Sequence, residues 1–356
     1  MRNRLSPRVP KLLRQEESEL LRFFLFQKAA RAIILFELAA QYGQVIQFMN
    51  VFDRISLFIC NRMPAFRDFY FSLPIIRDLH FLRQQIAQLD YAAKMQCIET
   101  LKTTNPHFKD PKRLLCHGAQ YWSQNFEDGM IEEIFRRILP TNKTFVEIGV
   151  ENGTENNTTA LLAAGWNGWW LEGNAEACTE ITQAISQMPS INSRLKLKQA
   201  YVSPLNIQQL FEELGIPQEV DLFSLDIDMH TYHICAALPH FKPRVIVVEY
   251  NGGISPSVEW ITPWKAGETW DRTQKFGASL KAFELLGRAR GYSLVGCDLT
   301  GINAFFVRND LLGNHFAEPF TAENHYECPK YYLTMRFGHR SVLYEESHDP
   351  KRYPYT

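Results

Sequence analysis

The chain has 356 residues, 46% of them hydrophobic and 22% charged, with a formal net charge of −1. That balance excludes a disordered or fibrous protein and leaves enough apolar material for one extended α/β domain or for two domains. The charge is unevenly spread: residues 1–115 carry 18 Lys and Arg against 10 Asp and Glu, and the remainder carries 20 against 29. A basic first third permits peripheral contact with a membrane surface, although a basic helical face is ordinarily a solvated one, and no nucleic-acid partner is expected. The seven cysteines form no C-x-x-C pair, and the start MRNRLSPRVPKLLRQEESEL lacks the apolar core of a signal peptide. Both features predict a reducing, cytoplasmic home. The apolar run from Phe23 to Phe52 is broken by Lys28, Arg31 and Glu37, so no membrane span is expected.

From about Glu16 to Thr104 apolar residues recur at three and four, which predicts helices, with Pro64 and Pro74 dividing them. TTNPHFKDPKRL then has the composition of a linker. Beyond it, short β-rich runs alternate with helical ones: FVEIGV, ENNTTALLAAG, GWWLEG, AEACTEITQAI, LKLKQAYV, DLFSLDI, YHICAAL, PRVIVVEY, ASLKAFELLGRARG, YSLVGCD and INAFFVR. This texture predicts a doubly wound, mostly parallel sheet of seven strands. The last two strands are separated only by a short turn and should be antiparallel, since a parallel pair needs a long crossover. The expected organisation is a basic helical region over 1–115, an α/β domain over 116–312 and a C-terminal extension over 313–356.

In such a sheet ligands bind at the carboxyl ends of the strands. The first strand ends there in Glu147-Ile-Gly149-Val-Glu-Asn-Gly153, with a helix expected from near Glu155; the bland alternative is a tight strand-to-helix turn and nothing more. Glu172, ending the second strand, is the residue type that accepts hydrogen bonds from both hydroxyls of a cofactor ribose. The spacing G-x-x-x-G differs from the G-x-G-x-x-G of nicotinamide sites, and the acids around the turn disfavour a pyrophosphate. A dehydrogenase is therefore the weakest reading.

With these residues in view, the chain from about Tyr121 to Arg308 resembles the class I S-adenosylmethionine-dependent methyltransferases, and among them the FkbM-like group. The resemblance is carried by YWSQNFEDGMIEEIF, FVEIGVENGTENNTTALLAAGWNGWWLEGN, DLFSLDIDMHTYHI, PRVIVVEYN and GASLKAFELLGRARGYSLVGCDLTGINAFFVR. It implies a Rossmann-like sheet with S-adenosylmethionine as cofactor. Glu147, Gly149 and Gly153 would then line the methionine part of the cofactor, Glu172 its ribose, and Tyr201 and Val202 the adenine, with Asp226 also in the cofactor set. It further implies methylation of an oxygen on a small molecule or glycan. In metal-dependent relatives of the fold, acids after strand four and an acid with an asparagine after strand five hold a divalent cation, which makes Asp226, Glu249 and Asn251 a candidate magnesium set. Tyr250, between the acid and the asparagine, departs from that pattern.

Asp228, His230 and His233 are the candidate catalytic bases, against the alternative that the histidines are packing or surface residues. Met229 and His230 stand where relatives favour a glycine-containing turn. The same departure keeps open a non-catalytic binding or scaffolding module on this fold. The long connection from Asn251 to Lys275 is expected to be a lid or binding loop, its Trp260, Trp264 and Trp270 forming either a stacking platform or a small satellite core. The N-x-T matches at Asn142, Asn156 and Asn157 are expected to be incidental.

Overall fold

The structure, a computed structural model, describes residues 74–271 and 273–334. The chain divides into two compact units, Met1–Leu89 and Asp90–Thr356. The helices expected before Pro74, and the end of the C-terminal extension, lie outside the described residues. The first described element is α1 (Pro74–Thr104). The expected linker is two short 3-10 turns, Pro106–Lys109 and Leu114–His117. Its polar residues close local turns instead of loosening the chain: Asn105 caps the first by accepting from the His107 N–H.

After α2 (Glu127–Ile138), strands and helices alternate as the sequence predicts. They are β1 (Thr144–Ile148), α3 (Thr159–Ala163), β2 (Asn167–Glu172), α4 (Ala175–Ser186), α5 (Pro189–Asn192), β3 (Leu195–Gln199), α6 (Ile207–Leu214), β4 (Leu222–Leu225), α7 (Thr231–Ala236), β5 (Val245–Glu249), α8 (Leu280–Ala289), β6 (Tyr292–Cys297), β7 (Asn303–Arg308) and α9 (Ala322–His325). The strands form one seven-stranded sheet of order β3-β2-β1-β4-β5-β7-β6. The pairs from β3 to β5 are parallel, and β7 runs antiparallel to both β5 and β6. A hairpin places β7 antiparallel between β5 and β6, for which the short turn after β6 suffices.

Both faces of the sheet are covered, so the strands read as apolar runs whose alternate residues enter two different cores. Phe145, Trp170, Leu222, Val245, Val247, Phe305 and Val307 join α2 and α4 on one face. Val146, Trp169, Leu171, Phe223, Leu225, Val248 and Phe306 join α6, α7 and α8 on the other. A smaller cluster gathers Ile98 of α1, Leu115, Leu299 and Leu333. No helix among the described residues is long and apolar enough to cross a membrane.

At the amino ends of the strands one buried acid closes the sheet. The Asp221 carboxylate accepts the N–H groups of Thr141, Asn142 and Lys143 and the Thr141 hydroxyl, and lies 3.2 Å from Nε of Arg244. Arg244 in turn donates to the carbonyls of Ile138 and Leu139 at the end of α2. Removing one partner of such a buried pair leaves the other uncompensated. Asp221→Ala is therefore expected to cost about 3–5 kcal/mol of stability, read as a lowered urea midpoint; a midpoint within error of the wild type would contradict this account.

Candidate functional site

The strand order reverses between β1 and β4, the point at which an open α/β sheet offers a crevice beyond the carboxyl ends of its strands. The turn after β1 shapes one wall. Gly149 has φ +83°, and a Cβ built on it would lie 1.7 Å from the Asp226 carbonyl oxygen. The backbones after β1 and β4 thus approach more closely than any side chain permits. Gly153, φ +79°, backs onto the Trp170 ring, 2.8 Å from where its Cβ would be. Packing against the core alone requires glycine at this position.

Glu147 also departs from expectation. Its side chain is buried, at 3% exposure. One carboxylate oxygen accepts from the Asn157 N–H and the Ser224 hydroxyl, and the other from the Asn156 amide and the Thr158 N–H and hydroxyl. Burial pushes the carboxyl up, and the bonds from Thr158, Asn157, Asn156 and Ser224 pull it back towards the charged form. Glu147 holds the turn from behind instead of lining the crevice. The same bonds explain why α3 begins at Thr159 and not near Glu155: residues 156–158 are committed to Glu147 before the helix starts. Asn156 and Asn157 are buried in this network, which fits the reading of their N-x-T matches as incidental.

Glu172 ends β2 facing the turn. One oxygen accepts the Glu151 N–H at 2.8 Å and the other the Asn174 N–H at 2.8 Å. Glu151 has φ +46°, so the bond from Glu172 holds a turn residue in a conformation that L residues rarely adopt. Further along this edge the Tyr201 ring lies over Gly173, where a Cβ would meet it at 2.8 Å, and the residue is 79% exposed. Val202, beside it, is partly buried against the core. An acid and an exposed aromatic ring therefore flank the end of β2.

The opposite wall is acidic. Asp226, Asp228 and Glu249 each offer an oxygen within 4.8 Å of the other two. Burial pushes Glu249 well up, and the charges of Asp226 and Asp228 push it further; burial also raises Asp226. Asp228 adopts φ +55°, uncommon outside glycine, in the turn that bears Met229 and His230. Asn251, expected beside Asp226 and Glu249, is committed elsewhere. Its amide nitrogen donates to the carbonyls of Gln274 and Phe276, and its oxygen accepts the Gly253 N–H. It fastens both ends of the long connection, and Asp228 completes the acidic trio.

The two histidines separate in the structure. His233 lies 2.7 Å through Nε2 from the Thr262 carbonyl, to which that nitrogen must donate, so the ring anchors the long connection. Both ring nitrogens of His230 are buried without a hydrogen-bond partner. Burial and the neighbouring His233 hold His230 below the usual histidine range, against the pull of Glu268. The ring is therefore held towards its uncharged form. The three tryptophans do not share one surface role. Trp260 and Trp264 are partly buried, the Trp260 N–H bonded to Ser279, while Trp270 is 42% exposed and stacks at a tilt against Phe276.

No protein-family model matches the chain, and no curated protein does. Among solved structures, a proposed O-methyltransferase from Klebsiella pneumoniae is similar over 63% of this chain and 99% of its own, at 18% identity and a TM-score of 0.38. An O-methyltransferase from Bacillus cereus in complex with S-adenosylhomocysteine is similar over 62% of this chain and 90% of its own, at 13% identity and a TM-score of 0.38. The glycopeptide N-methyltransferase MtfA complexed with S-adenosylmethionine covers 50% of this chain and 86% of its own, at 10% identity and a TM-score of 0.31. Likeness of this degree assigns no residue role, and the fold rests on the strand order of the chain itself.

The glycine turn yields a direct test. Gly149→Ala places a methyl group against the Asp226 backbone at positive φ and is expected to cost at least ~2 kcal/mol. Gly215→Ala, also at positive φ but with nothing within 4 Å, should cost only about 1 kcal/mol. Equal losses in urea unfolding would show that the close approach at Gly149 has no energetic weight.

Proposed function

We propose that this protein transfers a methyl group from S-adenosylmethionine to a hydroxyl of a small molecule or glycan. The observation that carries the reading is Glu172, a half-buried acid at the carboxyl end of β2, held towards the turn after β1 by the Glu151 N–H. An acid in that position offers charged acceptors to a ribose diol. The sheet order, with β7 inserted antiparallel, agrees with the fold that the sequence resemblance implies. The Tyr201 ring provides an apolar face for an adenine, and the acidic far wall favours a sulfonium and an amino group over a pyrophosphate.

In this reading the protein's contribution is to hold donor and acceptor in line and to remove the acceptor proton. His230, held towards its uncharged form by burial and by His233, is the preferred base, with Asp228 a comparable candidate; His233 positions the long connection. Asp226, Asp228 and Glu249 supply hard oxygen donors that suit a divalent cation such as magnesium, and Asn251 is not among them. A cation held there would lower the pKa of an acceptor hydroxyl. FkbM-like membership and a cytoplasmic site belong to the same proposal, as does peripheral membrane contact through the basic first third. A non-catalytic binding module remains the second reading, favoured by the Asp228-Met229-His230 turn that departs from the pattern of relatives; it predicts cofactor binding with no transfer to any acceptor in a broad glycan and metabolite screen.

Glu172→Gln keeps the shape of the side chain but removes its charge. Affinity for S-adenosylhomocysteine in calorimetric titration should fall about 10-fold to 150-fold, the equivalent of roughly 1.5–3 kcal/mol, and the melting temperature should fall as well, because the amide nitrogen cannot accept the N–H of Glu151 or Asn174 that one carboxylate oxygen accepted. No binding to the wild type at millimolar ligand would remove the cofactor from the account. For the trio, titration of magnesium or calcium into the purified protein should show saturable binding that Glu249→Gln weakens at least tenfold. Silence in the wild type would confine these carboxylates to proton chemistry.

A further inference from the structure

The segment Tyr121-Trp-Ser-Gln-Asn-Phe-Glu127-Asp128 has no role in the site described so far, yet its loop is held more tightly than a surface connection requires. One oxygen of the buried Asp128 carboxylate accepts the N–H groups of Tyr121, Trp122 and Ser123 at 2.6, 2.7 and 2.8 Å. The Asp128 N–H returns a bond to the Ser123 hydroxyl. The Gln120 amide donates to the carbonyls of Ser123 and Gln124, and Glu127 accepts the Asn125 N–H. Phe126 is at φ 71°. The loop is thus shaped by its own side chains before it touches the sheet.

Its outward bonds then reach across the site. The Gln124 amide donates to the Glu155 carboxylate at 2.9 Å, on the turn after β1. Three residues on, the other oxygen of Glu127 accepts from the Asn303 amide at 2.7 Å. Asn303 opens β7 and is the register partner of Glu249, a member of the acidic trio. Asn125, between them, accepts from the Thr334 hydroxyl. A preformed loop is thus anchored at one end to the turn after β1 and at the other to the start of β7 beside the trio, both at the carboxyl ends of the parallel strands.

We propose that Gln120–Glu127 is the roof over the amino-acid end of the bound cofactor, and that Gln124 is a positioning residue that latches the roof to Glu155. This rests on the S-adenosylmethionine reading. The bond from Gln124 fixes one oxygen of Glu155 and so orients the carboxylate towards the ammonium of the methionine part, the only cationic hydrogen-bond donor that ligand offers. The roof would touch neither the ribose nor the adenine, which lie at the end of β2.

Two ligands that share the adenosine and the sulfur separate these claims: S-adenosylhomocysteine, which has the amino-acid part, and methylthioadenosine, which lacks it. In calorimetric titration Gln124→Ala should weaken S-adenosylhomocysteine about 3-fold to 10-fold and leave methylthioadenosine unchanged. In a double-mutant cycle with Glu155→Ala, the loss from Gln124→Ala should vanish. Gln124→Glu, which sets like charges together, should weaken S-adenosylhomocysteine at least as much as the alanine variant. The roof is overturned if S-adenosylhomocysteine binds the alanine variant as it binds the wild type, or if both ligands weaken equally, the mark of a merely structural role. Failure of the wild type to bind either ligand overturns the cofactor reading itself.

Discussion

The arrangement of the crevice depends on one buried carboxylate. Glu147 sits inside the sheet, where an unpaired charge would be prohibitively costly, and it is tolerated because five bonds from Asn156, Asn157, Thr158 and Ser224 converge on it. Those bonds do more than satisfy an acid. They fix the length of the turn after β1, set where α3 starts, and join β1 to its neighbour β4 through Ser224. The close approach of Gly149 to the Asp226 carbonyl follows from the same geometry, and with it the position of the acidic trio relative to Glu172. Glu151 and Asp228, two of the non-glycine residues at positive φ, lie on the loops that follow β1 and β4.

The sheet was legible in the sequence because two-sided burial writes itself as apolar runs separated by helical periods, and the short turn after β6 dictated a hairpin. The places of Gly149 and Glu172 at the carboxyl ends of β1 and β2 were legible for the same reason. The direction of Glu147 was not. Whether an acid at a strand end faces solvent or the core depends on partners nine to eleven residues downstream, and the Asn-Asn-Thr that follows it at that distance was the only signal. Asn251 was misplaced because its partners, Gln274 and Phe276, become neighbours only when the long connection folds back, a closure that no local pattern announces. His230 and His233, three residues apart, looked equivalent; a single carbonyl, that of Thr262, distinguishes them.

The candidate site is therefore built by two kinds of residue. Some, such as Glu172, Asp226 and Asp228, present charge to the crevice. Others, such as Glu147 and Asn251, turn their polar groups inward and spend them on neighbouring backbone and side chains. Both kinds are acids or amides in the sequence, and spacing alone does not sort them. Counting hydrogen-bond capacity does: a carboxylate that already accepts four or five bonds has nothing left for a ligand.

The insertion of β7 between β5 and β6 also has a bearing on how the chain is made. Val245–Glu249 cannot complete its pairing until Asn303–Arg308 exists, because its outer partner is more than fifty residues further on. While the ribosome is still producing the long connection, α8 and β6, the strand Val-Ile-Val-Val-Glu presents a bare, apolar edge to the surroundings, the type of template on which other chains pair and aggregate. The hairpin of β6 and β7 covers that edge once its second arm has formed.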